Sequence, residues 1–153
     1  MLFRSATNTL QIAVAPGDPK NIRSVADMAR PGVTSVVCLP TVPCGAAATA
    51  AEKAAGVTLA PASQEQDVTA VLNRVRTGNA DAGLVYITDV KSANGGVQGV
   101  DFPQQGAQGV KQTYPIAVVT GSANADLARK WVAFVTGPQG KAALAQAGFV
   151  VTP

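Results

Sequence analysis

Two helix starts and one tyrosine are the positions in this 153-residue sequence where residue type and spacing point to chemistry. An Ala-rich helix begins near Cys44, after the turn Thr-Val-Pro-Cys-Gly, without the Ser, Thr, Asp or Asn that normally caps a helix. A second helix begins near Val68, and Tyr86 closes the apolar strand Gly-Leu-Val-Tyr. Backbone N–H groups at helix starts, together with a phenol O–H, can bind an anion without Lys or Arg.

Each of these positions also has a purely structural interpretation. A Tyr in an apolar strand commonly belongs to the core, with its O–H bonded to the backbone. Asp67 is first of all a helix cap and only secondarily a candidate for carboxylate chemistry. Helices start at strand ends in every α/β fold, so the anion-site and structural interpretations both stay open from the residues alone.

The two cysteines, Cys38 and Cys44, are six residues apart. That spacing is neither a Cys-x-x-Cys redox motif nor half of a zinc site. A strand end and the following helix start can bring two cysteines to disulfide distance, and such a bond would place the protein outside the cytosol. The sequence favours this disulfide, and two buried free thiols are the alternative.

The composition excludes several classes of function. Apolar residues make up 47% and charged residues 14% of the chain, which is a globular composition. The net charge of +3 comes from scattered Lys and Arg, and only 5% of residues are aromatic, so a nucleic-acid surface is not expected. No apolar run reaches the roughly 18 residues of a membrane span. The absence of histidine removes the commonest general base and most zinc sites, and we expect no enzyme activity, cofactor or metal centre.

Hydrophobic periodicity predicts strands that alternate with helices, and then two further strands and two helices. This order is typical of an α/β fold in which helices flank a mainly parallel sheet. The Ser-Ala-Asn-Gly-Gly segment is expected to be a connector rather than a phosphate-binding loop. The strands are predicted at residues 9–14, 34–39, 57–62 and 80–90 and in the segments VQGVDFP and QTYPIAVVTG. The helices are predicted at residues 25–30, 45–55, 124–135 and 139–147, with a further helix between its cap, Gln66 or Asp67, and Gly78.

The segments DAGLVYITD and TYPIAVV are the most specific in the chain, and it closes with GPQGKAALAQAGF. With these segments the chain resembles the molybdate-binding proteins of molybdate ABC transporters, a family of type II periplasmic solute-binding proteins. The closing segment is common to many such binding proteins and is less specific. The resemblance implies two α/β lobes with an oxyanion bound in the cleft. It also implies that the backbone N–H groups of Cys44 and Val68 and the hydroxyl of Tyr86 contact the oxyanion. The family usually has a small residue such as Ala at position 44, and a backbone contact tolerates Cys there.

The resemblance covers nearly the whole chain after residue 5 but omits the segment with which the family's first lobe begins. Residues 1–5 are therefore predicted to be a non-native leader. Residues 6–119 are predicted to form the second lobe with both crossing strands, and residues 120–153 the C-terminal helices of an otherwise missing first lobe. An exposed apolar face that includes Trp131 and Phe134 follows from this division.

The resulting expectation is an extracytoplasmic protein, periplasmic or lipid-anchored at the cell surface, that captures molybdate or tungstate for an ABC importer. Its partners would be the oxyanion and the transporter permease, and the full-length protein would be a monomer. The metal would arrive as the oxyanion, not at a resident metal site. The alternatives are the effector-sensing lobe of a transcription regulator and a binding protein for another tetrahedral oxyanion such as sulfate.

Overall fold

The computed structural model describes residues 2–151, so Met1 of the predicted leader and Thr152 and Pro153 of the predicted C-terminal segment lie outside the described residues. The chain divides into two compact units. One comprises residues 9–111, and the other comprises residues 2–8 together with residues 112–151. The predicted boundaries at residues 5 and 119 remain predictions.

The element order begins as an alternation of strands and helices, as the sequence pattern predicts. The strands are β1 (Leu2–Val14), β2 (Ser35–Cys38), β3 (Ser63–Glu65), β4 (Ala82–Tyr86), β5 (Gln98–Val100) and β6 (Lys111–Ala117). The helices are α1 (Val25–Met28), α2 (Pro43–Ala55), α3 (Val68–Arg76), α4 (Ile87–Ser92), α5 (Ala125–Thr136) and α6 (Pro138–Gln146).

The sheet has the strand order β3-β2-β4-β1-β5, and β6 also pairs with β1. β2 runs parallel to both β3 and β4, whereas β1 is antiparallel to β4 and β5. The predicted α/β class is confirmed, and the sheet is mixed, with its three parallel strands, β3, β2 and β4, at one end of the strand order. The difference arises because β1 inserts between β4 and β5 and runs opposite to both.

The core of the unit formed by residues 9–111 lies on both faces of the central strands. All five residues of β4 are buried, which fits a strand covered by helices on each side. Gly83 lets α3 approach β4 closely, because a Cβ at this position would lie 2.7 Å from Cγ1 of Val71. The largest fully buried side chains include Leu10, Ile12 and Leu84.

The third strand was predicted at residues 57–62, and the structure shows this to be wrong. After the left-handed Gly56, the chain stays bonded to α2, since the N–H of Leu59 donates to Oε2 of Glu52 at 2.8 Å. Pairing with β2 begins only when the N–H of Ala62 donates to the carbonyl of Ser35, so the strand comprises Ser63–Glu65. The apolar pattern of residues 57–62 reflects packing next to a helix and not a strand.

The strand predicted at residues 80–90 is also too long. β4 ends at Tyr86, and α4 starts at the next residue. The N–H of Tyr86 donates to Oδ2 of Asp89 at 2.8 Å, so a side chain three residues ahead turns the backbone into a helix. The Ser-Ala-Asn-Gly-Gly segment then forms the turn between α4 and β5, with positive φ at Asn94 and Gly95.

The unit formed by residues 2–8 and 112–151 contains the start of β1, most of β6, and helices α5 and α6. The backbones of Thr7 and Val150 form an antiparallel bridge, and α5 packs against α6. Leu127, Trp131 and Phe134 are 68%, 60% and 48% exposed, which confirms the predicted exposed apolar face on the C-terminal helices. Within residues 2–151, no helix is both long enough and apolar enough to span a membrane.

Candidate functional site

Three chain segments that the sequence singled out meet at one edge of the sheet. Because β2 is parallel to β3 and to β4, the carboxyl ends of these strands lie at the same edge, with Cys38 opposite Glu65. The helices α2 and α3 start just beyond β2 and β3, and Tyr86 is the last residue of β4. This arrangement, called here the anion edge, is where ligands of open α/β sheets bind.

The start of α2 leaves one backbone N–H without a partner. The N-cap residue is Val42, which has no side-chain acceptor, and Pro43 has no N–H. The N–H groups of Gly45 and Ala46 both donate to the carbonyl of Val42 at 3.0 Å. The N–H of Cys44 therefore has no hydrogen-bond acceptor anywhere in residues 2–151 and is available to a ligand.

Gly45 allows the first turn of α2 to lie directly on the end of β2. A Cβ at this position would overlap the carbonyl oxygen of Leu39 and lie 2.9 Å from that of Cys38. The requirement is for space, because Gly45 is not among the residues with positive φ. Any side chain here would force the helix start away from the strand.

The structure joins Cys38 to Cys44 by a disulfide with a Cα–Cα distance of 5.7 Å. Both residues belong to the hydrophobic core, with exposures of 1% and 6%. The bond ties the last residue of β2 to the second residue of α2. The two sulfurs are therefore buried, although the Cys44 backbone N–H is unbonded.

The start of α3 also has free N–H groups, but its cap is different. Oδ1 of Asp67 accepts the N–H of Ala70 at 2.8 Å, so the carboxylate is a helix cap, as its residue type predicts. The N–H groups of Val68 and Thr69 have no acceptor among the described residues. The N–H of Thr69 is thus a further donor that sequence reasoning missed. The spacing between Asp67 and Ala70 is the signal that could have indicated it, because a cap bonded to Ala70 leaves the N–H groups before Ala70 free.

Tyr86 is 8% exposed and belongs to the hydrophobic core cluster. Its backbone is held by Asp89, and burial raises the pKa of the Asp89 carboxyl group above its ordinary value, against the opposing effect of the Tyr86 N–H. No interpretation of the sequence connected Asp89 to Tyr86. The three-residue spacing between a strand end and an acidic residue is the signal for this contact.

Glu65, the acidic residue at the carboxyl end of β3, is hydrogen-bonded to two neighbouring side chains. Oε1 of Glu65 accepts the hydroxyl of Ser63 at 2.8 Å and Nε of Arg74 at 2.9 Å. These contacts, the Ser63 hydrogen bond first, lower the pKa of the Glu65 carboxyl group. A carboxylate held in this way opposes an approaching anion less than a free one would.

A fourth segment, the loop after β5, reaches the same edge. Nε2 of Gln105 donates to the carbonyl of Leu10 at 2.9 Å, and Leu10 is the partner of Tyr86 in the sheet. Sequence reasoning missed this residue because no local motif relates it to Tyr86. The contact depends on the antiparallel pairing of β1 with β4, which brings residues far apart in the chain together.

Comparison with known proteins agrees with this architecture. The sequence model of the family described as "Bacterial extracellular solute-binding protein" matches residues 3–150, so the chain belongs to that family. Within it, the chain is 51% identical over 144 residues to the molybdate-binding protein ModA of Mycobacterium bovis and equally to that of Mycobacterium tuberculosis H37Rv. The alignments cover 94% of this chain and 54% of each relative. The chain thus spans about half the length of the curated relatives it matches.

Solved structures show the same fold at lower sequence identity. The substrate-binding domain of a molybdenum ABC transporter protein from Clostridium difficile, itself described as putative, has a TM-score of 0.73 at 23% identity, covering 99% of this chain and 67% of that one. The periplasmic molybdate-binding protein of Azotobacter vinelandii has a TM-score of 0.69 at 20% identity, covering 99% and 68%. The sulfate-binding protein SubI of Mycobacterium tuberculosis H37Rv has a TM-score of 0.72 at 23% identity, covering 98% and 58%.

Proposed function

We propose that this chain provides part of an extracytoplasmic protein that binds molybdate or tungstate for an ABC importer. The observation that supports it most directly is the pair of unbonded N–H groups, at Cys44 and Val68, at the edge where Tyr86 ends β4. The 51% identity to the molybdate-binding proteins of two mycobacteria supports molybdate as the ligand. The role is binding and release, without covalent chemistry.

Neutral donors suit a tetrahedral oxyanion that must be bound reversibly. The N–H groups of Cys44 and Val68 are fixed by their helices and add the favourable field of the helix N-termini. The Tyr86 hydroxyl would donate a third hydrogen bond. A buried Arg would instead need extensive desolvation and would select for charge more than for geometry.

The size of the anion should determine its affinity at this edge. Molybdate and tungstate are nearly equal in size, so donors at fixed positions should bind both about equally well. Sulfate is smaller, and it would leave the hydrogen bonds long or unmade. A preference for sulfate would instead favour a different member of the same fold, since the sulfate-binding protein SubI shares it.

We also propose that this chain contributes one complete lobe, and that the rest of the oxyanion shell comes from a segment corresponding to the unmatched part of the relatives. The support is the 54% coverage of each relative, together with the exposed apolar side chains of α5. In this proposal, residues 120–153 would pack against that segment. The complete protein would be a monomer in the periplasm or anchored at the cell surface, and would deliver the oxyanion to a permease.

Calorimetric titration with molybdate, tungstate, sulfate and phosphate tests the proposal. The 153-residue chain should bind molybdate weakly or not at all, and a form extended by the segment that corresponds to the unmatched part of the relatives should bind molybdate and tungstate tightly and sulfate poorly. Absence of tight molybdate binding by the extended form would end the proposed function. Micromolar binding by the 153-residue chain alone would contradict the proposal that part of the shell is supplied by another segment.

A further inference from the structure

We infer that Cys38 is a positioning residue for the anion edge, and that its disulfide replaces the side-chain cap that α2 lacks. This inference rests on the proposed function, because it concerns how the Cys44 N–H is held for an oxyanion. Cys38 itself contributes no donor to the ligand. It acts through Cys44, to which it is bonded.

A side-chain cap normally performs two tasks at a helix start. Its oxygen accepts a free N–H of the first turn, and the same hydrogen bond fixes the angle at which the chain enters the helix. At α2 a cap oxygen that accepted the N–H of Cys44, the second residue of the helix, would occupy the donor that the anion needs. The second task is still required, since a donor that moves freely binds an anion less tightly.

The two helix starts at the anion edge show the contrast within one molecule. α3 has a carboxylate cap, Asp67, which bonds to Ala70 and leaves Val68 and Thr69 unbonded. α2 has no side-chain cap, and a disulfide fixes its second residue to the end of β2. A further carboxylate at this edge would repel the oxyanion, whereas a disulfide is neutral. The disulfide therefore restrains the turn without adding negative charge or an accepting oxygen.

Other contacts also restrain the backbone of this turn. The N–H of Val42 donates to the carbonyl of Leu39 at 3.1 Å, and Gly45 lies against the same carbonyl group. One contact involves a residue before Cys44 in the sequence, and the other involves the residue after it. Apart from its peptide bonds, residue 44 is covalently linked through the disulfide. This bond connects it to a β2 residue whose backbone pairs with β3.

The double variant Cys38→Ala/Cys44→Ala tests this inference, because it keeps the backbone N–H at position 44 and removes only the disulfide. Amide hydrogen exchange of the 153-residue chain reports on the first turn through the N–H groups of Gly45 and Ala46, which are bonded in the intact protein. Their protection should fall about tenfold more than that of core amides such as Leu84. Titration of the extended form with sodium molybdate, followed by the amide shifts of residues 44 and 68, should show binding weakened about fivefold.

Val14→Ala is the matched control for a general loss of stability. Val14 is fully buried and pairs with Ala82, at the end of β4 opposite to Tyr86. This variant should lower the protection of all core amides together, without a selective effect on Gly45 and Ala46. The single variant Cys38→Ala should behave as the double variant does, because the disulfide is lost in both.

The outcomes separate this inference from the proposed function. If the extended form without substitutions shows no molybdate-dependent shifts at residues 44 and 68, the proposed function fails, and exchange still decides whether the disulfide holds the turn. If that form responds and the double variant binds equally well, with unchanged protection at Gly45 and Ala46, the positioning role of Cys38 is overturned. A selective loss of protection together with weaker binding supports the inference.

Discussion

Among the glycines whose surroundings the structure describes, Gly45 is the one where an added Cβ would come closest to another atom, the carbonyl oxygen of Leu39. Replacement by Ala would place a methyl group on the carbonyl of Leu39, which belongs to rigid backbone at the end of β2. The start of α2 would have to move outward, and with it the Cys44 N–H. The cost is of the kind found for overpacked cores, where backbone must shift to admit an added methyl group.

We therefore expect Gly45→Ala to lower the free energy of unfolding by about 1–3 kcal/mol and to weaken molybdate binding as well. Chemical denaturation and calorimetry measure the two effects. Gly106→Ala is the control, because a Cβ at Gly106 meets nothing within 4 Å and its φ is not positive. A stable Gly45→Ala variant with unchanged affinity would show that the close contact at Leu39 does not position the donor.

Tyr86 offers a second test at the scale of one atom. Tyr86→Phe removes only the hydroxyl, and it should weaken molybdate binding by about 1–3 kcal/mol if that hydroxyl donates to an oxo group. Calorimetry on the extended protein measures the change. Tyr114→Phe is the control, since Tyr114 lies in the other unit and packs edge-on against Phe149. Unchanged affinity in Tyr86→Phe would assign the side chain to the core alone.

At the scale of elements, the short strand β3 depends on charge as well as on pairing. Glu65 ends β3 and is bonded to Ser63 within the strand and to Arg74 in the last turn of α3. This carboxylate thus links the strand to the helix that follows it. The contacts are worth most when the carboxylate is ionised, which is why they lower its pKa.

The link predicts a pH-dependent contribution to stability. Because the folded-state pKa of Glu65 lies below its ordinary value of 4.5, its contribution is present above that pH and is lost as the pH falls through the folded-state value. Denaturation of the unmodified chain and of Glu65→Gln should therefore differ at neutral pH and converge in acid. In an Arg74→Ala background the difference at neutral pH should be smaller. A difference that does not change between neutral and acidic pH would contradict this assignment.

The helix cap of α3 gives a second prediction about stability, and this one does not involve a change of pH. Asp67→Ala removes the acceptor of the Ala70 N–H and should lower the free energy of unfolding by about 1 kcal/mol. Asp67→Asn keeps an acceptor oxygen and should recover most of this loss. Thermal denaturation measures both variants, and equal stability of Asp67→Ala and the unmodified chain would show that the cap is dispensable.

At the scale of the whole molecule, the exposed apolar side chains of α5 are the feature that most needs an explanation. Trp131 stacks on Phe134 with ring centroids 5.6 Å apart, and both are about half exposed or more. Leu127 and Val119 in the same unit are exposed still further. The proposed explanation is that these side chains are buried by the segment that the longer relatives have and this chain does not match.

The single Trp reports on this surface directly. Trp131 in the 153-residue chain should emit at long wavelength and be quenched readily by acrylamide, because 60% of it is exposed. In the extended protein the emission should move to shorter wavelength and quenching should weaken. Identical spectra in the two forms would contradict the proposed burial, and gel filtration in parallel would show whether self-association covers the ring instead.

Local sequence determined the elements and donors that depend on neighbouring residues. The missing cap before Cys44, the Asp67 cap and the amphipathic helix α3 follow from short-range hydrogen bonding and periodicity. The six-residue separation of the cysteines was enough to favour the disulfide that the structure contains. Such features need no knowledge of distant segments.

Only the tertiary structure decided where strands begin and end and what meets at the anion edge. β3 starts at Ser63 because β2 pairs with it there, and the apolar residues before it stay with α2 instead. The need for glycine at position 45 and the approach of Gln105 to the partner of Tyr86 depend on contacts across the fold. Hydrogen bonds and excluded volume between residues distant in sequence set these features, and local propensity carries no signal for them.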